Sequence, residues 1–143
     1  MKIDSFKGDF EFLSNFADSV FAHDGIVYPT NEHFYQAMKS DSRNERKRIA
    51  ALTSPGRAKR EGRKLDIRKD WESVKFSVMR EGLALKFVEG SLLAEMLKAT
   101  FPAVLEEGNT WGDRVWGVDS KTGQGKNWLG ELLMERRALL LKK

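Results

Sequence analysis

At 143 residues with a formal net charge of +4, the chain has the length of one globular domain. Its 41% hydrophobic content is too high for a disordered chain, and no apolar run approaches a membrane span. Cysteine is absent, which excludes disulfides, thiolate zinc sites, iron–sulfur clusters and a cysteine nucleophile.

No leader-like apolar stretch follows Met1, so the sequence reads as cytoplasmic, with one domain over residues 1–143 and no membrane partner. The first thirty residues read as strands. Phe6, Phe10, Phe12, Leu13 and Phe16 form an aromatic segment interrupted by Gly8. Residues 20–22 and 26–28 flank Asp24-Gly25, and that pair between β-branched and aromatic runs predicts a hairpin.

Helices follow. Pro29-Thr30 predicts a helix with Thr30 as its cap and Glu32 in its first turn, running to about Ser40. A second helix is predicted over 43–52, and Ser54-Pro55 repeats the start signal. Asp70-Trp71 opens the longest helix, in which Trp71, Val74, Val78 and Leu85 keep helical spacing toward Phe87. A short amphipathic helix is predicted over 91–100 and extended chain over 104–118. Asn127 is placed to cap a last helix through Leu141. Strands at the start and late in the chain, with helices between and after, predict an α+β fold: a small antiparallel sheet surrounded by several helices.

Residues 43–69 carry eleven Lys/Arg against three acids, a net of +8 that leaves −4 for the rest. Such a run is either a solvated helical face or a surface for phosphate. Ser54-Pro55-Gly56-Arg57 sharpens the second reading, because a helix N-terminus offers backbone N–H groups beside an arginine. Gly125-Lys126-Asn127 is a second candidate anion site, without the serine or threonine of a Walker A loop.

His23 and His33 have no cysteine or second histidine to complete a ligand set, so no metal site is expected. Glu32, Gln36 and Lys39 fall at i, i+4 and i+7 on one helical face, with the carboxylate and the amine about 10 Å apart. That pattern is either an ordinary surface face or a general acid/base paired with an amine nucleophile. Trp111, Trp116 and Trp128 lie within eighteen residues, among Asn109, Asp113 and Asp119. They are either core or a stacking wall for a flat heterocycle.

Six segments, taken in order, resemble the NADAR family. They are Phe12-Leu13-Ser14-Asn15-Phe16, the run from Tyr28 to Lys39, Ser54-Pro55-Gly56-Arg57-Ala58, Arg68-Lys69-Asp70-Trp71-Glu72, Trp111-Gly112-Asp113 and the run from Gly125 to Gly130. The resemblance covers nearly the whole chain. It implies a compact α+β domain that hydrolyses N-glycosidic bonds without metal or cofactor. The implied substrate is a small phosphorylated nucleotide-like molecule, an aminouracil on ribose 5-phosphate from early riboflavin synthesis. The alternative is ADP-ribose on guanine, which would make nucleic acid the partner.

By that resemblance Glu32 is the acid/base, Lys39 the imine-forming nucleophile and Asp113 a second carboxylate. Ser14, Asn15, Phe16, Tyr35, Gly56, Trp71 and Asn127 join the binding pocket. Arg57 and Lys126 hold phosphate, and Trp111 or Trp128 stacks on the base. Two readings without catalysis stand beside these, a module that binds ADP-ribose or another nucleotide and a plain nucleic-acid-binding domain. Residues 112–119 depart from some relatives and bear on which base is taken.

Overall fold

The computed structural model describes residues 1–142, which fall into two units: Asn15–Lys86, and Met1–Ser14 together with the residues from Phe87 onward. At the N-terminus Lys2–Ile3 form β1. The aromatic segment that follows is a 3-10 helix, Gly8–Leu13, and not a strand. Gly8 turns the chain with φ +57, and of the helix only Leu13 is buried. The segment therefore lacks the two-residue alternation of burial that a half-buried strand requires.

In the unit Asn15–Lys86, β2 (Phe21–His23) and β3 (Ile26–Tyr28) form the expected antiparallel hairpin, with Phe21 opposite Tyr28. Asp24 and Gly25 both take positive φ, as a two-residue hairpin turn demands. Four helices follow: α1 (Asn31–Ala37), α2 (Arg43–Ala50), α3 (Pro55–Gly62) and α4 (Trp71–Lys86). Thr30, Ser42 and Ser54 cap the first three, each side chain accepting a backbone N–H three residues on. Helix α1 is the centre of this unit and all seven of its residues are buried, so the surface-helix reading of Glu32 and Gln36 does not hold. Phe34 is fully buried and takes the ring edges of Phe21, His23 and Tyr28 at 5.1–5.4 Å. The helix ends earlier than its pattern predicts, because Lys39 and Ser40 bond back only three residues, to Gln36 and Ala37.

In the other unit, α5 (Leu92–Ala99) begins at its Ser91 cap. Strand β4 (Val104–Leu105) pairs with β1, and β5 (Gly108–Asn109) pairs with β6 (Val118–Asp119). Helix α6 (Trp128–Leu141) closes the unit. Both of these strand pairs are parallel, so the predicted α+β class is present but the strands form three separate pairs, of which only the hairpin is antiparallel. The reason lies in what covers them. Gly130 admits the Leu105 carbonyl so closely that a Cβ there would lie 2.1 Å from its oxygen. The Asn127 amide also takes the Leu105 carbonyl of β4 and the Glu107 N–H just after it, backbone groups that a further strand would use.

Candidate active site

The first turn of α1 sets the position of Glu32. Its backbone N–H donates to the Asn15 carbonyl at 3.0 Å, so the segment before the hairpin is tied to the helix start. A side-chain bond repeats the tie, since Asn31 Nδ2 donates to Asn15 Oδ1 at 2.8 Å. Both amides also reach the Met79 sulfur of α4, at 3.6 Å from Asn15 and 3.4 Å from Asn31. The Glu32 carboxylate is buried, and Gln36 Nε2 donates to its Oε2 at 2.6 Å. A carboxylate held in this way can take up or give a proton with little reorganisation.

Lys39 lies just beyond the helix. Its Nζ is 5.8 Å from the centroid of the Tyr35 ring, and that ring meets Trp71 edge-on at 5.1 Å. Burial is the main influence on its amine and holds it below the usual lysine range. The Glu32 carboxylate pulls the other way, while Arg63, Lys59 and Lys75 reinforce the lowering. Burial therefore outweighs the opposing carboxylate, and the balance of influences on Lys39 is toward a lower pKa.

His33 takes no part in this constellation. Its Nδ1 faces the Thr30 hydroxyl at 2.8 Å and its Nε2 the Leu52 carbonyl at 3.0 Å, which makes it a neutral strut between the start of α1 and the end of α2. Among the described residues no group of three or more His, Cys, Asp or Glu is placed to hold a metal ion. No helix among them is long and apolar enough to cross a membrane.

Gly56 and Arg57 stand in the first turn of α3. The Arg57 backbone N–H is taken by Ser54 Oγ at 3.1 Å, and its exposed guanidinium has no carboxylate partner among the described residues. Phe16, at the start of this unit, is 43% exposed. An open cavity of about 860 Å³ lies over residues 40–42 and 64–70, but none of the expected site residues lines it. Its Arg68 is neutralised by Asp70 at 2.6 Å, so the chemistry-bearing groups outside it make the better candidate.

The remaining expected residues belong to the other unit. Ser14 ends the 3-10 helix, its N–H donating to Glu11 O at 2.8 Å. Trp111 is 61% exposed beside Gly112, whose φ is +81. Asp113 Oδ1 accepts the N–H groups of Val115 and Trp116, each at 3.0 Å, and Asn109 brackets the Asp113 backbone with two bonds of 2.9 Å. The carboxylate shapes this loop with one oxygen and keeps the other. Lys126 is exposed.

Asn127 departs from its expected role as a helix cap. It stands at the head of α6 in a left-handed conformation and makes no side-chain cap bond. Its amide instead accepts from Glu107 N at 3.0 Å and donates to Leu105 O at 2.9 Å. Both polar ends of the side chain are engaged with backbone.

One unit therefore gathers Asn15, Glu32, Tyr35, Lys39 and Trp71 around α1, with Gly56 and Arg57 on α3, while Ser14, Trp111, Asp113, Lys126 and Asn127 lie in the other. Reading the sequence singled out Gln36 by spacing but missed its bond to Glu32, and missed Asn31, Met79 and the cations around Lys39. Glycines inside helical patterns, at 62 and 82, were the available signal.

A NADAR domain model matches residues 5–141. The N-glycosidase YbiA of Escherichia coli (strain K12) is 45% identical over 134 residues, covering 92% of this chain and 82% of that protein. The chloroplastic riboflavin biosynthesis protein PYRR of Zea mays is 36% identical over 130 residues, covering 82% of this chain and 20% of that one. The NMR structure of the E. coli protein YbiA superposes with a TM-score of 0.85 at 42% identity, covering 99% of this chain and 84% of that chain.

Proposed function

Because the chain belongs to the NADAR family, we propose that it is an N-glycosidase that cleaves an aminouracil base from ribose 5-phosphate, a riboflavin-pathway intermediate. The observation that carries the chemistry is Lys39, an amine held below the lysine range by burial and placed seven residues, about two helical turns, beyond a buried, hydrogen-bonded Glu32. The names of the E. coli and maize relatives support the bond and the pathway.

Cleavage of the glycosidic bond places positive charge on the anomeric carbon, which the Glu32 carboxylate stabilises. A proton passed through Glu32 lets the ribose ring open at its C1–O bond. The neutral Lys39 amine attacks that carbon, the base departs with the electron pair of its C–N bond and a proton, and an imine remains. Water then hydrolyses the imine, releasing the sugar and restoring the amine. Tyr35 lies beneath the amine with Trp71 on its ring edge, and the Asn15 carbonyl holds the Glu32 backbone N–H. Asp113 is the second carboxylate, acting through the oxygen its loop does not use. In the unit that carries Lys39, Phe16 and Gly56 line the substrate and Arg57 holds the phosphate.

A second substrate, ADP-ribosylated guanine in nucleic acid, draws on one further observation. Arg57, Arg60 and Arg63 on and just after α3 have no carboxylate partner among the described residues, as suits a polyanion. The test is borohydride trapping read by intact-protein mass, with ribosylaminouracil 5′-phosphate and an ADP-ribosylated-guanine oligonucleotide in parallel. A sugar adduct on Lys39 with release of the aminouracil is the expected result. Adduct and release from the oligonucleotide alone would move the substrate, and release without any adduct would remove the imine step.

A further inference from the structure

Helix α1 carries two buried amides whose oxygens have no hydrogen-bond partner among the described residues, Asn31 Oδ1 and Gln36 Oε1. Each oxygen rests on the bare α-carbon of a glycine in a neighbouring helix. A Cβ at Gly62 of α3 would lie 2.0 Å from Gln36 Oε1, and a Cβ at Gly82 of α4 would lie 2.0 Å from Asn31 Oδ1. Neither glycine has positive φ, so close approach and not backbone freedom is what requires them.

Both arrangements work against stability. Glycine weakens a helix relative to alanine, and a buried amide oxygen without a donor loses the bonds it had in water. Yet in both cases the other end of the amide does something specific. Gln36 Nε2 donates to Glu32 Oε2 at 2.6 Å, and Asn31 Nδ2 donates to Asn15 Oδ1 at 2.8 Å. A carboxamide is planar, so fixing its oxygen fixes the direction of its N–H. Unsatisfied buried groups of this kind call for an explanation, and here the explanation lies at the opposite end of the same side chain.

We propose that Gly62 seats the Gln36 amide so that Gln36 holds the Glu32 carboxylate in its working orientation, which makes Gln36 a positioning residue. The proposal rests on the reading of Glu32 as the acid/base. Gly62 is needed because any Cβ there would occupy the place of the Gln36 oxygen. The bond is charge-assisted and favours the ionised carboxylate. Lys39, when protonated, favours that form as well, and the substitutions at 36 and 62 leave that residue in the chain.

The experiment is a carbon-13 NMR titration of the Glu32 carboxyl, with steady-state kinetics on ribosylaminouracil 5′-phosphate alongside. Wild type is compared with Gln36→Leu, Gly62→Ala, Gln36→Ala and the double variant Gln36→Ala/Gly62→Ala. Loss of the bond is expected to raise the proton affinity of Glu32 about tenfold in Gln36→Leu. Gly62→Ala should shift it in the same direction, with kcat down about 100-fold and KM little changed. In the Gln36→Ala background, Gly62→Ala should cost far less, because the amide it displaces is gone and only the 3.1 Å approach to the Cβ of residue 36 remains. An unchanged Glu32 titration in both single variants, or a Gly62→Ala penalty that keeps its full size without the Gln36 amide, overturns the proposal. Glu32→Gln with full turnover would instead defeat the acid/base reading, and the titration would still judge the seat. If Gln36→Leu fails to fold, Gly62→Ala and the double variant decide the matter.

Discussion

The backbone N–H of Arg68 donates to the carbonyl of Lys39 at 2.8 Å, while the Lys39 N–H bonds back to Gln36 O at 3.2 Å. The residue that carries the candidate amine is therefore fixed on both sides of its α-carbon, two residues past the end of α1. Its side chain then has to keep an ammonium where burial disfavours one.

The consequence is measurable as stability. The native Lys39 pKa lies below the unfolded value of 10.5, chiefly through burial. The unfolded chain therefore holds this proton more tightly, and stability rises with pH between the native pKa and 10.5. Below that window the full penalty is present. Lys39→Met, which removes the charge and keeps the length, should melt above wild type at pH 7, and the gap should close as pH approaches 10.5. Turnover should fall by about 1,000-fold or more. A variant that melts below wild type at pH 7 would contradict the balance described for this amine.

His33 gives the opposite kind of signal. Burial lowers its pKa from 6.5, against the smaller influence of the Leu52 carbonyl. The neutral ring satisfies both its partners, so its stabilisation is fully present above pH 6.5 and is lost as pH falls through the lower native value. His33→Ala should cost about 1–3 kcal/mol at pH 7 through two lost bonds. The difference from wild type should narrow as pH drops below 6.5, in urea titrations at each pH. A constant difference from pH 7.5 to 5 would refute the strut.

Much of this was legible because it is local. Pro29-Thr30, Ser54-Pro55 and Asp24-Gly25 act on their own neighbours, and each formed the cap or turn its chemistry requires. The aromatic segment 6–16 misled, since aromatic density without alternation of burial is equally compatible with a 3-10 helix. The face shared by Glu32, Gln36 and Lys39 was legible from spacing, but its burial was not, because that depends on α2, α3 and α4 closing around α1. Asn127 failed as a cap for a related reason. Its left-handed backbone turns the amide toward Glu107 and Leu105, some twenty residues away in sequence.

Gly82 tests how tightly α4 meets α1. A Cβ there would lie 2.0 Å from Asn31 Oδ1 and 3.1 Å from a Phe34 ring carbon. In an exposed helix Gly→Ala would gain about 1 kcal/mol. Here overpacking should reverse the sign, with Gly82→Ala destabilising by about 1–3 kcal/mol in urea. Removing the Asn31 side chain in the same molecule should recover part of that loss. A Gly82→Ala protein more stable than wild type would show that Asn31 and Phe34 yield freely.

Asp113 separates shape from charge. Its Oδ1 accepts two backbone N–H groups, from Val115 and Trp116, and an asparagine oxygen can accept the same pair. Asp113→Asn should therefore keep the loop and remain within about 0.5 kcal/mol of wild-type stability. Asp113→Ala leaves both N–H groups without this acceptor and should lose about 1–2 kcal/mol. If the second oxygen serves the reaction as proposed, both variants should lose turnover, Asp113→Asn by about 100-fold with KM nearly unchanged. Full activity in Asp113→Asn together with loss in Asp113→Ala would make this residue a builder of the loop alone, and would leave Glu32 as the one carboxylate assigned to the chemistry.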